Sequence, residues 1–269
     1  METIRVPGGE LYFEVAGHGS NAVVLIHPGL WDRRTWDREI GMLPELGYTT
    51  VRYDVRGYGK SSRLSPGEAF SNVRDLAAVM DAAGIDRTAL IGCSMGGAIA
   101  IDFMLEHPDR VWGLLAVAPG LGGFESTPED EAYWEERFAS VQAAIEAGDL
   151  ERAEDLRLEV WAPLGTDDEA GRRIREIAFD NLHEITQDES GAEELDPPAA
   201  SRLREISTPT LVVLAGHDPP DMKRLGETLR EGIPGVRVVT VEDADHVVNL
   251  RRPESFDAAV LPFLAEAAP

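Results

Sequence analysis

With 269 residues, 43% of them hydrophobic, the chain is long enough for one sizeable α/β domain carrying an insertion. A net charge of −24, from 49 acidic and 25 basic residues, argues against nucleic acid and anionic membrane surfaces as partners. No apolar run approaches the roughly 18 residues of a membrane span, and Met1-Glu2-Thr3-Ile4-Arg5 lacks a charged-then-apolar leader pattern, so a cytoplasmic protein is expected.

Glu2 to Val6 and Leu11 to Val15 predict a hairpin around Pro7-Gly8-Gly9. Ala22 to Ile26 is a continuous apolar run, the pattern of a strand buried on both faces. It runs into His27-Pro28-Gly29-Leu30-Trp31, then an amphipathic helix around Trp36, Ile40 and Leu43. Thr49 to Tyr53 is the next strand, ending in the glycine-punctuated Asp54-Val55-Arg56-Gly57-Tyr58-Gly59-Lys60-Ser61. Phe70 to Ala83 has apolar residues at helical spacing and stops at Gly84. A strand over Thr88 to Ile91, a helix over Gly97 to Leu105 and a strand over Trp112 to Ala118 follow.

The pattern then changes. From Thr127 to Ile185 there are only helical stripes: Trp134, Phe138, Val141 and Ile145; Leu150, Ala153, Leu156 and Val160; Ile174, Ile177, Ala178 and Leu182. Between Leu121 and Ala200 lie 23 acidic and 6 basic residues, the acidic excess being read as the solvated face of these helices. None of the six arginines falls on an apolar stripe, so each is expected to face water. The α/β alternation resumes with strands over Pro209 to Leu214 and Val236 to Val241 and helices over Met222 to Glu231 and Ser255 to Ala265. The expected organisation is a core of residues 1–120 and 201–269 with a helical cap at 121–200.

Chemistry concentrates at Gly92-Cys93-Ser94-Met95-Gly96, a Gly-x-Ser-x-Gly set between a strand and a helix with no room for a loop. Such a turn strains and exposes Ser94, and the Met95 N–H at the helix start can stabilise an oxyanion. Cys93, the only cysteine, excludes an intramolecular disulfide and reads as a small buried filler. A serine hydroxyl needs a base held by a third group. Of the six histidines, His246 fits best, after the last strand in Asp243-Ala244-Asp245-His246. Asp218, after the strand ending at Leu214, is the matching acid; Asp221 is its rival but suits a helix cap. No metal or cofactor is implied, since no His/Asp/Glu cluster has ligand spacing and no phosphate loop or dinucleotide fingerprint occurs.

On His27-Pro28-Gly29, Asp54-x-Arg56-Gly57-x-Gly59-x-Ser61, Gly92-x-Ser94-x-Gly96-Gly97, Asp218 and Asp245-His246, the chain resembles the α/β-hydrolase superfamily over nearly its whole length. Within it, the chain is similar to capped hydrolases related to enol-lactonases, esterases and cofactor-free haloperoxidases. The resemblance implies a mostly parallel eight-stranded sheet flanked by helices, with Ser94 as nucleophile, His246 as base then acid, and Asp218 as orienting carboxylate. It implies an oxyanion hole from the N–H of Met95 and one from the His27 loop, Gly29 first and Leu30 next. Pro28, where the family often has glycine, has no N–H to give. Ser94 excludes the family's aspartate-nucleophile chemistries.

The substrate expected is a small-molecule ester or lactone. C–C bond hydrolysis and perhydrolysis stand as alternatives on the same triad, and a ligand receptor on this fold as an alternative outside enzymes. His27 either touches substrate or braces its loop; Arg56 suits a structural ion pair. Trp31, Trp134, Phe138 and Trp161 either line an acyl pocket or pack in the core. The acidic cap predicts a preference for neutral over carboxylated substrates. Oligomeric state has no signal in the sequence.

Overall fold

The computed structural model describes residues 2–269. Eight strands, β1 (Glu2–Val6), β2 (Gly9–Ala16), β3 (Asn21–Ile26), β4 (Tyr48–Tyr53), β5 (Thr88–Cys93), β6 (Val111–Val117), β7 (Thr210–Ala215) and β8 (Arg237–Val241), form one sheet in the order β1-β2-β4-β3-β5-β6-β7-β8. β1 and β2 pair antiparallel, as do β2 and β4; every later pairing is parallel. The helices are α1 (Glu39–Glu45), α2 (Asn72–Ala82), α3 (Met95–Glu106), α4 (Pro128–Glu146), α5 (Leu150–Trp161), α6 (Glu169–Asp180), α7 (Ala199–Arg202), α8 (Pro220–Gly232), α9 (Val248–Arg251) and α10 (Pro253–Ala267). This is the eight-stranded, mostly parallel α/β sheet that the resemblance implies.

The continuous apolar runs have the expected cause. Val24, Ile26 and Leu90 join α2, α3 and α8 in a core on one face, while Val23, Leu25 and Ile91 join α1 and α10 on the other. Parallel strands put their carboxyl ends on one edge, so the loops after β3, β5, β7 and β8 gather there. Between β6 and β7 the chain runs through α4, α5 and α6. Thr127 and Asp130 form a reciprocal capping box with Pro128 at the start of α4, and Asp168 caps α6. Among the described residues no helix is long and apolar enough to cross a membrane.

The expected helix around Trp36 is instead a 3-10 turn (Arg33–Trp36) followed by α1. α1 buries Glu39, which is 1% exposed and accepts from Asn249 Nδ2 at 3.2 Å. Burial pushes its carboxyl up to about 7. Folding therefore takes up a proton, and the stability this group allows is full below the ordinary carboxylate range and lost as pH rises towards 7. Glu39→Gln is expected to stabilise the protein by about 2 kcal/mol at pH 8, an advantage that shrinks towards pH 5. Urea melts at both pH values check this; an equal effect at both would contradict it.

Candidate active site

β5 ends at Cys93, and Ser94 turns directly into α3 with φ 51° and ψ −115°, a left-handed conformation that costs a non-glycine residue about 1–2 kcal/mol. The turn is held from outside: Ser94 N–H donates to Val117 O at 2.9 Å, and Gly120 N–H donates to Ser94 O at 2.9 Å. Both flanking glycines are required. A Cβ on Gly92 would lie 2.0 Å from Gly96 O, and one on Gly96 would lie 2.3 Å from Ile26 O. The second contact also seats the end of β3 against the first turn of α3, so the loop from His27 starts beside the elbow. Met95 opens α3, where its N–H lacks an intrahelical partner.

Asp218 and His246 meet. His246 Nδ1 lies 2.9 Å from Asp218 Oδ1, and both side chains are 2% exposed. A carboxylate can only accept here, so Nδ1 is the donor, and the neutral imidazole in this tautomer has its lone pair on Nε2. The His246 loop is tied to the elbow by the Cys93 thiol, which donates to His246 O at 3.5 Å. Cys93 is fully buried, and burial pushes its thiol well above the usual range, as befits a filler. No hydrogen bond joins Ser94 Oγ to His246 Nε2 among the described residues; such links are commonly long without substrate and tighten in the reacting complex.

Two residues singled out as possible pocket walls are placed elsewhere. His27 is fully buried; its Nε2 accepts from Val55 N–H at 2.9 Å and its Nδ1 donates to Pro28 O at 2.8 Å. Burial holds it below the usual imidazole range, and both ring nitrogens are engaged by backbone, the arrangement of a loop brace. Trp31 is also fully buried, with Nε1–H donating to Ile174 O at 2.9 Å and Leu158, Ala162 and Ile177 around it. It packs against α5 and α6. Between them, Leu30 has φ 68° and Gly29 is partly exposed. Arg56 makes the buried two-pronged ion pair with Asp75 expected of it, at 2.8 and 2.9 Å.

Trp134, Phe138 and Trp161 are half-buried and stacked. Ring centroids are 5.3 Å apart for Phe138–Trp134 and for Trp134–Trp161, and 4.3 Å for Trp161–His246. Beside this column lies a cavity of about 400 Å³ walled by Tyr58, Phe138, Val141, Ile145, Arg157 and Glu184. Tyr58 separates it from the His27 loop: its ring meets His27 edge-on at 5.3 Å, and its hydroxyl would be 3.6 Å from a Cβ on Gly29. Arg157 overturns the expectation that every arginine of 121–200 faces water. Its side chain is 13% exposed, bonded to Glu154 Oε2 at 3.0 Å and to Glu184.

Sequence reasoning missed Tyr58, which stood as a variable position in its motif, and Arg251. The Arg251 guanidinium grips Asp245, next to His246, at 2.8 and 3.1 Å and reaches Asp168 at the start of α6 at 3.0 Å. Asp221 caps nothing. It sits inside the first turn of α8, where its Oδ2 accepts from Trp134 Nε1–H at 3.0 Å.

Comparison with known proteins agrees with this architecture. A 2-hydroxy-6-oxononadienedioate/2-hydroxy-6-oxononatrienedioate hydrolase of Klebsiella pneumoniae is 29% identical over 271 aligned residues, covering 96% of this chain and 91% of the relative. The enol-lactonase of Burkholderia xenovorans superposes with a TM-score of 0.72 at 22% identity, covering 98% of this chain and 100% of the other. An esterase of Exiguobacterium antarcticum gives 0.75 at 21% identity, covering 97% of each chain. At these identities the two structures share the fold. The family model described as alpha/beta hydrolase fold matches residues 22–253, most of the chain. The chain belongs to the alpha/beta hydrolase fold family.

Proposed function

We propose that the protein is a serine hydrolase that cleaves a neutral carboxylic ester or lactone through an acyl-enzyme. The observation that carries this is the buried His246–Asp218 pair, 2.9 Å long, on the same sheet edge as a strained Ser94 at a helix start. His246 Nε2 takes the Ser94 proton as Oγ attacks the substrate carbonyl. The tetrahedral oxyanion is held by the N–H of Met95 and that of Gly29, with Leu30 the neighbouring donor. His246 then protonates the leaving oxygen as its bond to the carbonyl carbon breaks. The acyl group stays on Ser94, and the alcohol departs from an ester or remains as the hydroxyl end of the opened acyl chain of a lactone. Water, deprotonated by His246, releases the acid and restores Ser94. Asp218 holds the imidazole in the tautomer that both proton transfers need. Trp134, Phe138 and Trp161 bound the acyl side.

Hydrolysis of a C–C bond is the second reading, favoured by the names of the curated relatives, whose named substrates are dicarboxylates. The charges on this chain weigh towards neutral substrates. Arg137, Arg152, Arg157, Arg173 and Arg175 each pair with a carboxylate, and Arg172 is bonded to Asp167 O. The one that reaches the cavity, Arg157, is shared by two glutamates. A carboxylated substrate would approach through a repulsive field.

The test is kcat/KM for a neutral lactone and its carboxylated partner from about 10 to about 500 mM salt, over which the screening length falls from about 30 Å to a few ångströms. The neutral substrate is expected to lead by about tenfold at low salt, with the gap narrowing as salt rises. Preference for the carboxylated one at low salt would overturn the neutral-substrate assignment and favour the dicarboxylate alternative.

A further inference from the structure

Asp218 and Asp221 lie three residues apart, one in the loop before α8 and the other in its first turn, and both lead to the same imidazole by different routes. Asp218 meets the edge of the His246 ring at Nδ1. Asp221 reaches its face through two indoles. Its Oδ2 accepts the Trp134 Nε1–H at 3.0 Å; the Trp134 ring lies 5.3 Å from Trp161 at a 33° tilt; Trp161 lies 4.3 Å from the His246 ring at 43°. The other oxygen, Asp221 Oδ1, is buried without a partner, so the indole hydrogen bond is what holds this carboxylate.

A second tie runs parallel to the first. Arg224, one turn along α8, is bonded to Asp130, one turn before Trp134 on α4, and its Nη1 donates to Glu125 O at 2.8 Å. Asp130 and Trp134 on one helix thus meet Asp221 and Arg224 on the other, and α4 is clasped to the helix that follows the catalytic acid. The clasp fixes the plane of Trp134, Trp134 fixes Trp161 at the end of α5, and Trp161 covers an imidazole that is 2% exposed.

We propose that Asp221 is a positioning residue for the reaction: through Trp134 and Trp161 it fixes the face of the His246 imidazole while Asp218 fixes its edge. The proposal rests on His246 being the base of the acyl-enzyme mechanism. It gives the indole N–H of Trp134 a role that a phenyl ring at that position would not fill, and it makes the acceptor oxygen at 221, rather than its negative charge, the requirement.

The experiment compares Asp221→Ala, Asp221→Asn, Trp134→Phe and the pair Asp221→Ala with Trp134→Phe, on one neutral ester. Losing either end of the hydrogen bond is expected to lower kcat about tenfold with KM within about twofold, since a base displaced by a fraction of an ångström loses rate before it loses binding. The pair should be no slower than either single variant, because both remove one interaction. Asp221→Asn keeps an acceptor oxygen and should stay within about twofold of the parent.

A readout independent of turnover is the NMR shift of the His246 ring protons, which the Trp161 ring current moves upfield. That shift should be lost in Trp161→Leu, reduced in Asp221→Ala and Trp134→Phe, and kept in Asp221→Asn. If Asp221→Asn is as slow as Asp221→Ala, or the pair loses the product of the two single effects, or the His246 shift ignores all of the Asp221 and Trp134 variants, the proposal is overturned. Failure of the acyl-enzyme mechanism itself would show differently, as turnover surviving in Ser94→Ala while the NMR shifts follow the clasp.

Discussion

Ser94→Ala is expected to lower kcat/KM on any accepted ester by at least about a thousandfold while leaving the fold intact. The side chain is small and partly exposed, so its loss removes no core contact; the strained backbone is held by Val117 O and Gly120 N–H, which alanine leaves in place. What is lost is the hydroxyl proposed to attack the carbonyl beside the Met95 N–H. His246→Ala should cost as much, because nucleophile and base act as a unit, and the two together should cost little more than either. His246→Gln serves where the alanine leaves a void under Trp161. The measurement is steady-state hydrolysis with circular dichroism and melting temperature as controls. A loss of tenfold or less in a folded Ser94→Ala protein would remove serine from the mechanism.

Asp218→Asn is expected to cost about 10⁴ in kcat, comparable to the loss seen when an orienting aspartate of a serine protease triad is replaced by its amide. An amide can turn its NH₂ to His246 Nδ1, and the imidazole then carries its proton on Nε2, where it can no longer accept one from serine. Both side chains are 2% exposed, so little water is at hand to repair the tautomer. Asp221→Asn is the control at a distance of three residues. If it were the crippling change and Asp218→Asn the mild one, the acid would be Asp221 and the clasp to Trp134 incidental.

The parts of this site that could be read from the chain are those set by local geometry. Gly-x-Ser-x-Gly between an apolar run and a small-residue helix announces the elbow because only glycine tolerates backbone at 2.0 and 2.3 Å from its Cβ position. The strands were legible because burial on both faces leaves runs such as Ala22 to Ile26 without a polar residue. That Arg56 needs a buried ion-pair partner is legible in the same sense, as a charge in a glycine-rich loop; that the partner is Asp75 is not.

What was not legible depends on partners far along the chain. Trp31 looks the same in sequence whether it lines a cavity or packs, and Ile174, 143 residues away, decides between the two. α5 shows one stripe, Leu150 to Val160, yet lies between α4 and α6. It therefore also buries Leu158 and draws Arg157 inward between Glu154 and Glu184. Asp221 carries the composition of a helix cap, but Pro219 and Pro220 start α8 ahead of it, and its hydrogen-bond partner is 87 residues away.

Acylation of Ser94 by substrate can be caught by covalent trapping. The protein is treated with an activated aryl carbamate, whose carbamoyl-enzyme hydrolyses slowly, and its intact mass is followed with aryl alcohol release and residual activity. The expected result is one carbamoyl group per chain, one equivalent of aryl alcohol released, activity lost in step, the added mass on the peptide containing Ser94, and no labelling of Ser94→Ala. Label on another residue, or inactivation and labelling that persist in Ser94→Ala, would contradict it.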